Sequence, residues 1–65
     1  MSAIRILVAL AEGFEEIEAL APVDIFRRAG YEVVLAGVNG MEIRGTHDII
    51  VKCDKRIEDV GVEFD

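Results

Sequence analysis

The sequence has few of the residues that mark disulfide-rich, nucleic-acid-binding or membrane-bound proteins. Its 65 residues include no tryptophan, one proline and one cysteine, Cys53. A single cysteine excludes an internal disulfide, so we expect a reducing, cytoplasmic setting. Thirteen acidic residues outnumber seven lysines and arginines, giving a formal net charge of −6. Because nucleic acids and anionic membranes attract clustered basic residues, we expect neither as a partner.

Long apolar runs and nucleotide-binding motifs are also missing. The apolar run over residues 6–11 is too short for a membrane span or a signal-peptide core. No G-x-G-x-x-G or Walker A motif is present. We therefore expect no nucleotide cofactor, and the acids near residue 16 would themselves repel phosphate.

What is present is the pattern of an α/β protein. Residues 4–10 are apolar apart from Arg5, which predicts a strand of a parallel sheet that is covered on both faces. Residues 15–29 predict a helix that ends at Gly30. A second apolar run, residues 31–38, completes a βαβ unit with a right-handed crossover.

A β-hairpin is predicted after this unit. Asn39-Gly40 is a two-residue hairpin signal, residues 41–44 alternate in polarity, and Gly45-Thr46 can turn. Residues 48–52 predict the next short strand. We expect this hairpin at the edge of the sheet.

The end of the chain predicts an incomplete domain. Residues 57–60 predict one helical turn, and residues 62–65 resemble the approach to a further strand. A sheet covered on both faces needs helices on both sides, and only one long helix is predicted. Residues 1–65 are therefore interpreted as the N-terminal part of a single domain, with its remainder removed, missing or carried by another polypeptide.

The predicted helix is hydrophobic on all sides. Between residues 17 and 26 only Glu18 and Asp24 are not apolar. Such a helix is buried on more than one side, so residues 15–29 predict a contact with missing chain or a homodimer. Pro22 removes a hydrogen bond to the Glu18 carbonyl, which predicts a kink there.

Glu18 is the candidate catalytic residue. Its helical neighbours are all apolar: Phe14, Ala21, Pro22 and Ile25. Desolvation there is expected to raise the pKa of Glu18, and a neutral carboxyl group can donate a hydrogen bond to a thiolate. Glu15 and Glu16 are interpreted as solvated or structural residues that complement the helix dipole. Asp24 could pair with Arg27, with Arg28 or with a partner chain.

The position of Glu18 also favours a functional role. Open α/β sheets bind ligands beyond the carboxyl ends of their strands. Those ends are predicted at residues 11–14 and 37–40, and Glu18 lies close to the first of them.

Residues 6–38 carry a recognisable motif. A hydrophobic strand leads to G-x-E-E-x-E over residues 13–18, and the helix then contains P-x-D from Pro22 to Asp24 and R-R-A-G over residues 27–30. This pattern closely resembles the ThiJ/PfpI superfamily, especially its branch of Parkinsonism-associated deglycases. The resemblance implies a flavodoxin-like parallel-sheet sandwich, commonly homodimeric, of which this chain carries the βαβ unit and the β-hairpin.

The resemblance also implies a site. The family has a reactive cysteine at a strand-to-helix elbow downstream of this segment, and the last glutamate of the motif, here Glu18, hydrogen-bonds its thiolate. Residues that could support the site are Gly13, Glu15, Glu16, Asp24 and Arg28. The remainder of the domain, carrying the cysteine, is thus an expected partner.

Several activities follow from the resemblance. Family members are linked to glyoxalase III activity, which converts methylglyoxal to lactate without a cofactor, and to deglycation of proteins. The alternatives are a redox sensor or chaperone-like protein without enzymatic activity, and a peptidase. Independently of the resemblance, a phosphoacceptor receiver domain fits less well, because receivers carry an aspartate at the end of the third parallel strand, whereas Asp65 would begin that strand.

Two further residues have no expected role in the chemistry. Cys53 follows a short strand and does not open a helix, so it does not match the family's elbow and is interpreted as structural. His47 is a lone histidine in a predicted turn, and no metal site is expected there.

Overall fold

The computed structural model describes residues 4–61 and residue 64. The elements in chain order are β1 (Arg5–Leu10), α1 (Glu16–Arg28), β2 (Glu32–Gly37), β3 (Glu42–Arg44), β4 (Ile50–Lys52), β5 (Lys55–Arg56) and a 3-10 turn (Ile57–Asp59). The predicted βαβ unit, hairpin strands and helical turn are thereby confirmed. The segment predicted as the approach to a further strand, residues 62–65, lies outside the described residues apart from Phe64.

The main sheet is parallel and has the order β1-β2-β5. β1 and β2 pair along their whole length, from Arg5 opposite Glu32 to Leu10 opposite Gly37. β5 pairs with the end of β2 through two residue pairs only. β5 was not predicted from the sequence, because two consecutive charged residues carry no strand pattern.

Helix α1 begins and ends with recognisable caps. The Glu15 side chain accepts a hydrogen bond from the Glu18 amide, 2.9 Å away, which satisfies one of the free amides of the first turn. Gly30 follows the helix with a φ of 93°, a conformation that favours glycine. The helix continues through Pro22, and the predicted kink stays a prediction. No helix within residues 4–61 and 64 is long and apolar enough to cross a membrane.

The core lies between α1, the main sheet and the hairpin. Its buried cluster consists of Leu10, Val23, Val33, Leu35, Ile43 and Cys53. Elsewhere β1 is half-buried or exposed within the described residues, and the cover expected from the remainder of the domain stays a prediction. On α1, Ile17 is 75% exposed and Ile25 is 61% exposed. The described residues therefore cover only one side of the helix.

The hairpin forms a sheet of its own, which corrects its predicted place at the edge of the main sheet. β3 and β4 pair antiparallel, with Ile43 opposite Val51. Asn39 and Gly40 do not join two paired strands: with φ values of 71° and 147° they lead the chain from β2 away to β3. Because the hairpin is not part of the main sheet, Ile43 of β3 can pack into the core, where it is 1% exposed.

Asp54 connects β2 to the chain just before β5. Its amide donates to the Leu35 carbonyl at 2.8 Å, and its Oδ2 accepts from the Leu35 amide at 2.9 Å. Arg27 of α1 donates to the same oxygen at 3.0 Å. Asp54 therefore links α1 to β2 directly before the start of β5.

Candidate functional site

The loop after β1 and the loop of the hairpin lie against each other. The amide of Gly13, which has a φ of 85°, donates to the Arg44 carbonyl at 2.9 Å. The Thr46 amide donates to the Phe14 carbonyl at 2.8 Å, and the Thr46 hydroxyl donates to the Gly13 carbonyl at 2.7 Å. These bonds place the hairpin loop, residues 45–49, over the N-terminus of α1.

Glu15 and Glu16 both face this hairpin loop. While one oxygen of Glu15 caps α1, its Oε2 lies 3.5 Å from Nδ1 of His47. Glu16 is 4% exposed. Its Oε2 accepts from the amides of His47 at 2.7 Å and Ile49 at 3.3 Å, and its Oε1 lies 2.9 Å from Nδ1 of His47. Glu16 therefore holds the hairpin loop onto the helix.

The Glu16–His47 contact shifts both pKa values. Burial alone would raise the pKa of Glu16, but hydrogen bonds from the His47 ring and from the backbone amides of Glu16, His47 and Ile49 outweigh it and lower the pKa to about 2. The hydrogen bond and charge of Glu16, with a smaller contribution from the charge of Glu15, raise the pKa of His47 despite partial burial. Both shifts favour an ion pair.

Glu18 lies in a different environment from the one predicted. Its side chain is exposed, so the described part of the chain does not form the apolar surroundings expected to desolvate it. Within residues 4–61 and 64, its carboxylate makes no hydrogen bond or ion pair. Its role as a catalytic residue stays a prediction.

The other predicted residues have structural contacts. Asp24 lies 3.8 Å from Arg28, with both side chains exposed, whereas Arg27 pairs with Asp54 instead. Cys53 is 2% exposed, and burial, followed by the nearby charge of Asp54, raises the pKa of its thiol. A buried, protonated thiol agrees with the structural interpretation of Cys53.

His47 lies in a turn, as predicted, next to two acids of the motif. It was interpreted as a lone turn histidine, but the structure gathers ligand atoms of Glu15, Glu16 and His47 within 4.8 Å of one another. Glu16 and His47 lie 31 positions apart in the sequence, so no local pattern links them. Gly45 allows the close approach of the two segments, because a Cβ at this position would collide with the Glu16 carboxylate.

Comparison with known proteins identifies the family. The sequence model of the DJ-1/PfpI family matches residues 4–65. The chain belongs to the DJ-1/PfpI family. This DJ-1/PfpI chain is 42% identical over 60 residues to the Parkinson disease protein 7 homolog of Danio rerio, with 91% of this chain and 32% of the relative covered. It is 32% identical over 62 residues to a deglycase of Thermococcus kodakarensis, with 94% of this chain and 37% of the relative covered.

Solved structures agree with the fold. The crystal structure of Drosophila melanogaster DJ-1beta superposes with a TM-score of 0.87 at 35% identity, covering 91% of this chain and 32% of that chain. Oxidized Toxoplasma gondii DJ-1 gives a TM-score of 0.83 at 42% identity, covering 86% of this chain and 31% of that chain. The predicted flavodoxin-like fold is thereby confirmed. The DJ-1/PfpI chain spans about a third of the length of the two curated relatives named above.

Proposed function

We propose that this chain is the N-terminal part of a cysteine-dependent enzyme that acts on methylglyoxal, related dicarbonyls or their adducts. Glu18 is the proposed acid–base partner of a cysteine outside this chain. One observation supports the assignment of this role to Glu18. Of the three acids in the motif, Glu15 caps the helix and Glu16 holds the hairpin loop, whereas the exposed Glu18 carboxylate makes no bond within residues 4–61 and 64.

The proposed chemistry uses the family's two-residue site. The thiolate adds to the aldehyde carbon of methylglyoxal and forms a hemithioacetal. Glu18 then carries the proton between carbon and oxygen, so that the aldehyde carbon is oxidised while the neighbouring ketone is reduced. Water releases lactate and regenerates the thiol, and no external oxidant or cofactor is consumed.

The proposal also gives α1 a structural role. Ile17 and Ile25 are largely exposed on the side of α1 that faces away from the core. Burial of apolar side chains of this size is favourable by about 1.5–3 kcal/mol each. This supports the rest of the domain, or a second subunit of a homodimer, as the partner of this face.

The decisive variant is Glu18→Gln in the complete protein, which carries the cysteine-bearing remainder of the domain. It removes the proton-carrying group at constant size, and general acid–base residues contribute typically about 10²–10⁴-fold. We expect kcat for methylglyoxal to fall by at least about 10²-fold. The matched control is Glu58→Gln, which neutralises an exposed acid in the 3-10 turn. Unchanged turnover in Glu18→Gln would overturn the role of Glu18.

A redox sensor is the second candidate, because the Toxoplasma gondii relative was solved in an oxidized form. In that case the cysteine is oxidised by peroxide to a sulfinate, which Glu18 binds. Mass spectrometry after mild peroxide treatment then shows two added oxygens, with negligible dicarbonyl consumption.

A peptidase is the third candidate, since the name of the Bacillus subtilis relative YraA, 41% identical over 63 residues, proposes a cysteine protease.

A further inference from the structure

Two carboxylates and an imidazole converge where the hairpin loop meets α1. We propose that Glu15, Glu16 and His47 bind a divalent transition-metal ion of the Zn²⁺ class, through His47 Nδ1 and one oxygen of each glutamate. This site is separate from Glu18 and needs no residue outside the chain. It does not depend on the proposed dicarbonyl chemistry.

The distances between the ligand atoms suit one ion. Zn–N and Zn–O bonds are about 2.0–2.2 Å, so neighbouring ligands of a tetrahedral ion lie about 3.3 Å apart. Nδ1 of His47 lies 2.9 Å from Oε1 of Glu16 and 3.5 Å from Oε2 of Glu15. The two glutamate oxygens lie within 4.8 Å of each other, so the two carboxylates must move closer together for all three atoms to contact a single ion. The ion would take the place of the proton shared by His47 and Glu16.

Each carboxylate is already oriented for this role. Glu15 binds the Glu18 amide with Oε1 and turns Oε2 towards His47. Glu16 binds the amides of His47 and Ile49 with Oε2 and turns Oε1 towards the same nitrogen. Hydrogen bonds of this kind hold metal ligands in position and reduce the entropy lost on binding. Freely rotating surface acids lack this arrangement.

In the part of the chain that the structure describes, the site is open and leaves room for a further ligand. A cleft of about 260 Å³ opens at the three side chains and is also lined by Ile17 and Ile49. The His47 side chain is 66% exposed, whereas Glu16 is buried behind it. Three protein ligands beside an open position are typical of zinc sites that keep a water molecule or substrate. The imidazole favours Zn²⁺ over Mg²⁺ or Ca²⁺, which prefer oxygen ligands alone.

The test is a titration of the purified, chelator-treated protein with Zn²⁺ by calorimetry. Loss of an outer-shell partner typically weakens metal binding about 10–100-fold, so loss of a direct ligand should do at least as much. We expect His47→Ala and Glu15→Gln each to raise the Kd at least about 10-fold. Glu15→Gln keeps an oxygen for the helix cap, and circular dichroism verifies that each variant is folded. Glu42→Gln, an exposed acid on the same hairpin, should leave the Kd unchanged.

Zinc-edge X-ray absorption identifies the ligands directly. We expect only nitrogen and oxygen neighbours at about 2.0–2.2 Å, without sulfur at about 2.3 Å. Cys53→Ser should therefore bind Zn²⁺ like the wild type. The proposal fails if no saturable binding is found, if folded Glu15→Gln and His47→Ala bind normally, or if the bound ion shows sulfur neighbours. None of these measurements uses catalytic turnover, so a failure of the Glu18 proposal leaves them unaffected.

Discussion

Glu16 and His47 bond to each other twice across 31 positions of the chain: the His47 amide donates to Oε2 at 2.7 Å, and its ring nitrogen lies 2.9 Å from Oε1. This double contact requires the backbone of the hairpin loop to approach the carboxylate closely. Gly45 provides that approach, because a Cβ at this position would collide with the Glu16 carboxylate and lie 2.8 Å from its Cγ.

Gly45→Ala should destabilise the fold. The added methyl group displaces the Glu16 side chain from the amides it binds, and overpacking of this kind typically costs about 1–3 kcal/mol. Urea unfolding measures the change. Gly37→Ala is the comparison: its Cβ would collide with the backbone carbonyl of Gly40, which cannot rotate away. We therefore expect Gly37→Ala to be the more damaging variant, and a Gly45→Ala variant as stable as the wild type would contradict the contact.

The stability of the metal-free protein should depend on pH through the same pair. The pKa of Glu16 is lowered from 4.5 to about 2 in the folded state, so its contribution is present above pH 4.5 and is lost as pH falls towards 2. The pKa of His47 is raised from 6.5, so its contribution is complete below pH 6.5 and is lost as pH rises through the folded value.

The expected result is a plateau between about pH 4.5 and 6.5 in the stability difference between wild type and Glu16→Gln. Unfolding in the presence of a chelator at a series of pH values measures this difference, and other titrating groups cancel in it. A difference that does not change with pH would show that the pair is not ionised as described.

Cys53 should be unreactive in the folded protein. Alkylation requires the thiolate, and burial together with Asp54 raises the thiol pKa above 9.0. Peptide-resolved mass spectrometry after iodoacetamide treatment should therefore find Cys53 modified at neutral pH only when urea is present. Equal modification of the folded and unfolded protein would contradict the burial of this side chain.

Ile43 should be the residue of the hairpin on which stability depends most. It is 1% exposed and belongs to the core cluster. Ile43→Ala should cost about 2–5 kcal/mol in the free energy of unfolding, the usual range for a buried isoleucine. Ile50→Ala on the facing strand is the matched control, because Ile50 is 51% exposed. Similar losses in the two variants would mean that the hairpin does not pack as described.

The sequence predicted those features that depend on neighbouring residues. β1, α1 and β2 follow from local periodicity, and Gly30 marks the end of the helix from its own backbone preference. β5 was missed because its two pairs are formed with β2, about 20 positions earlier in the chain, and not by a pattern within Lys55–Arg56.

The site was harder to predict, because its geometry depends on distant contacts. Glu16 and Glu18 are acids of one motif, two positions apart, yet only Glu16 is buried. The difference arises from the hairpin loop, which covers Glu16 and leaves Glu18 exposed. The helical neighbours of Glu18 are apolar, but their presence on one helix cannot bury it without a second surface.

Asp54 has a consequence for everything that follows it in the chain. Two residue pairs between β2 and β5 are too few to fix which residues face each other, and a shift by one position would turn every later side chain to the opposite face. By binding both the amide and the carbonyl of Leu35, Asp54 permits only one alignment. A single aspartate thus sets the register in which β5 joins the parallel sheet.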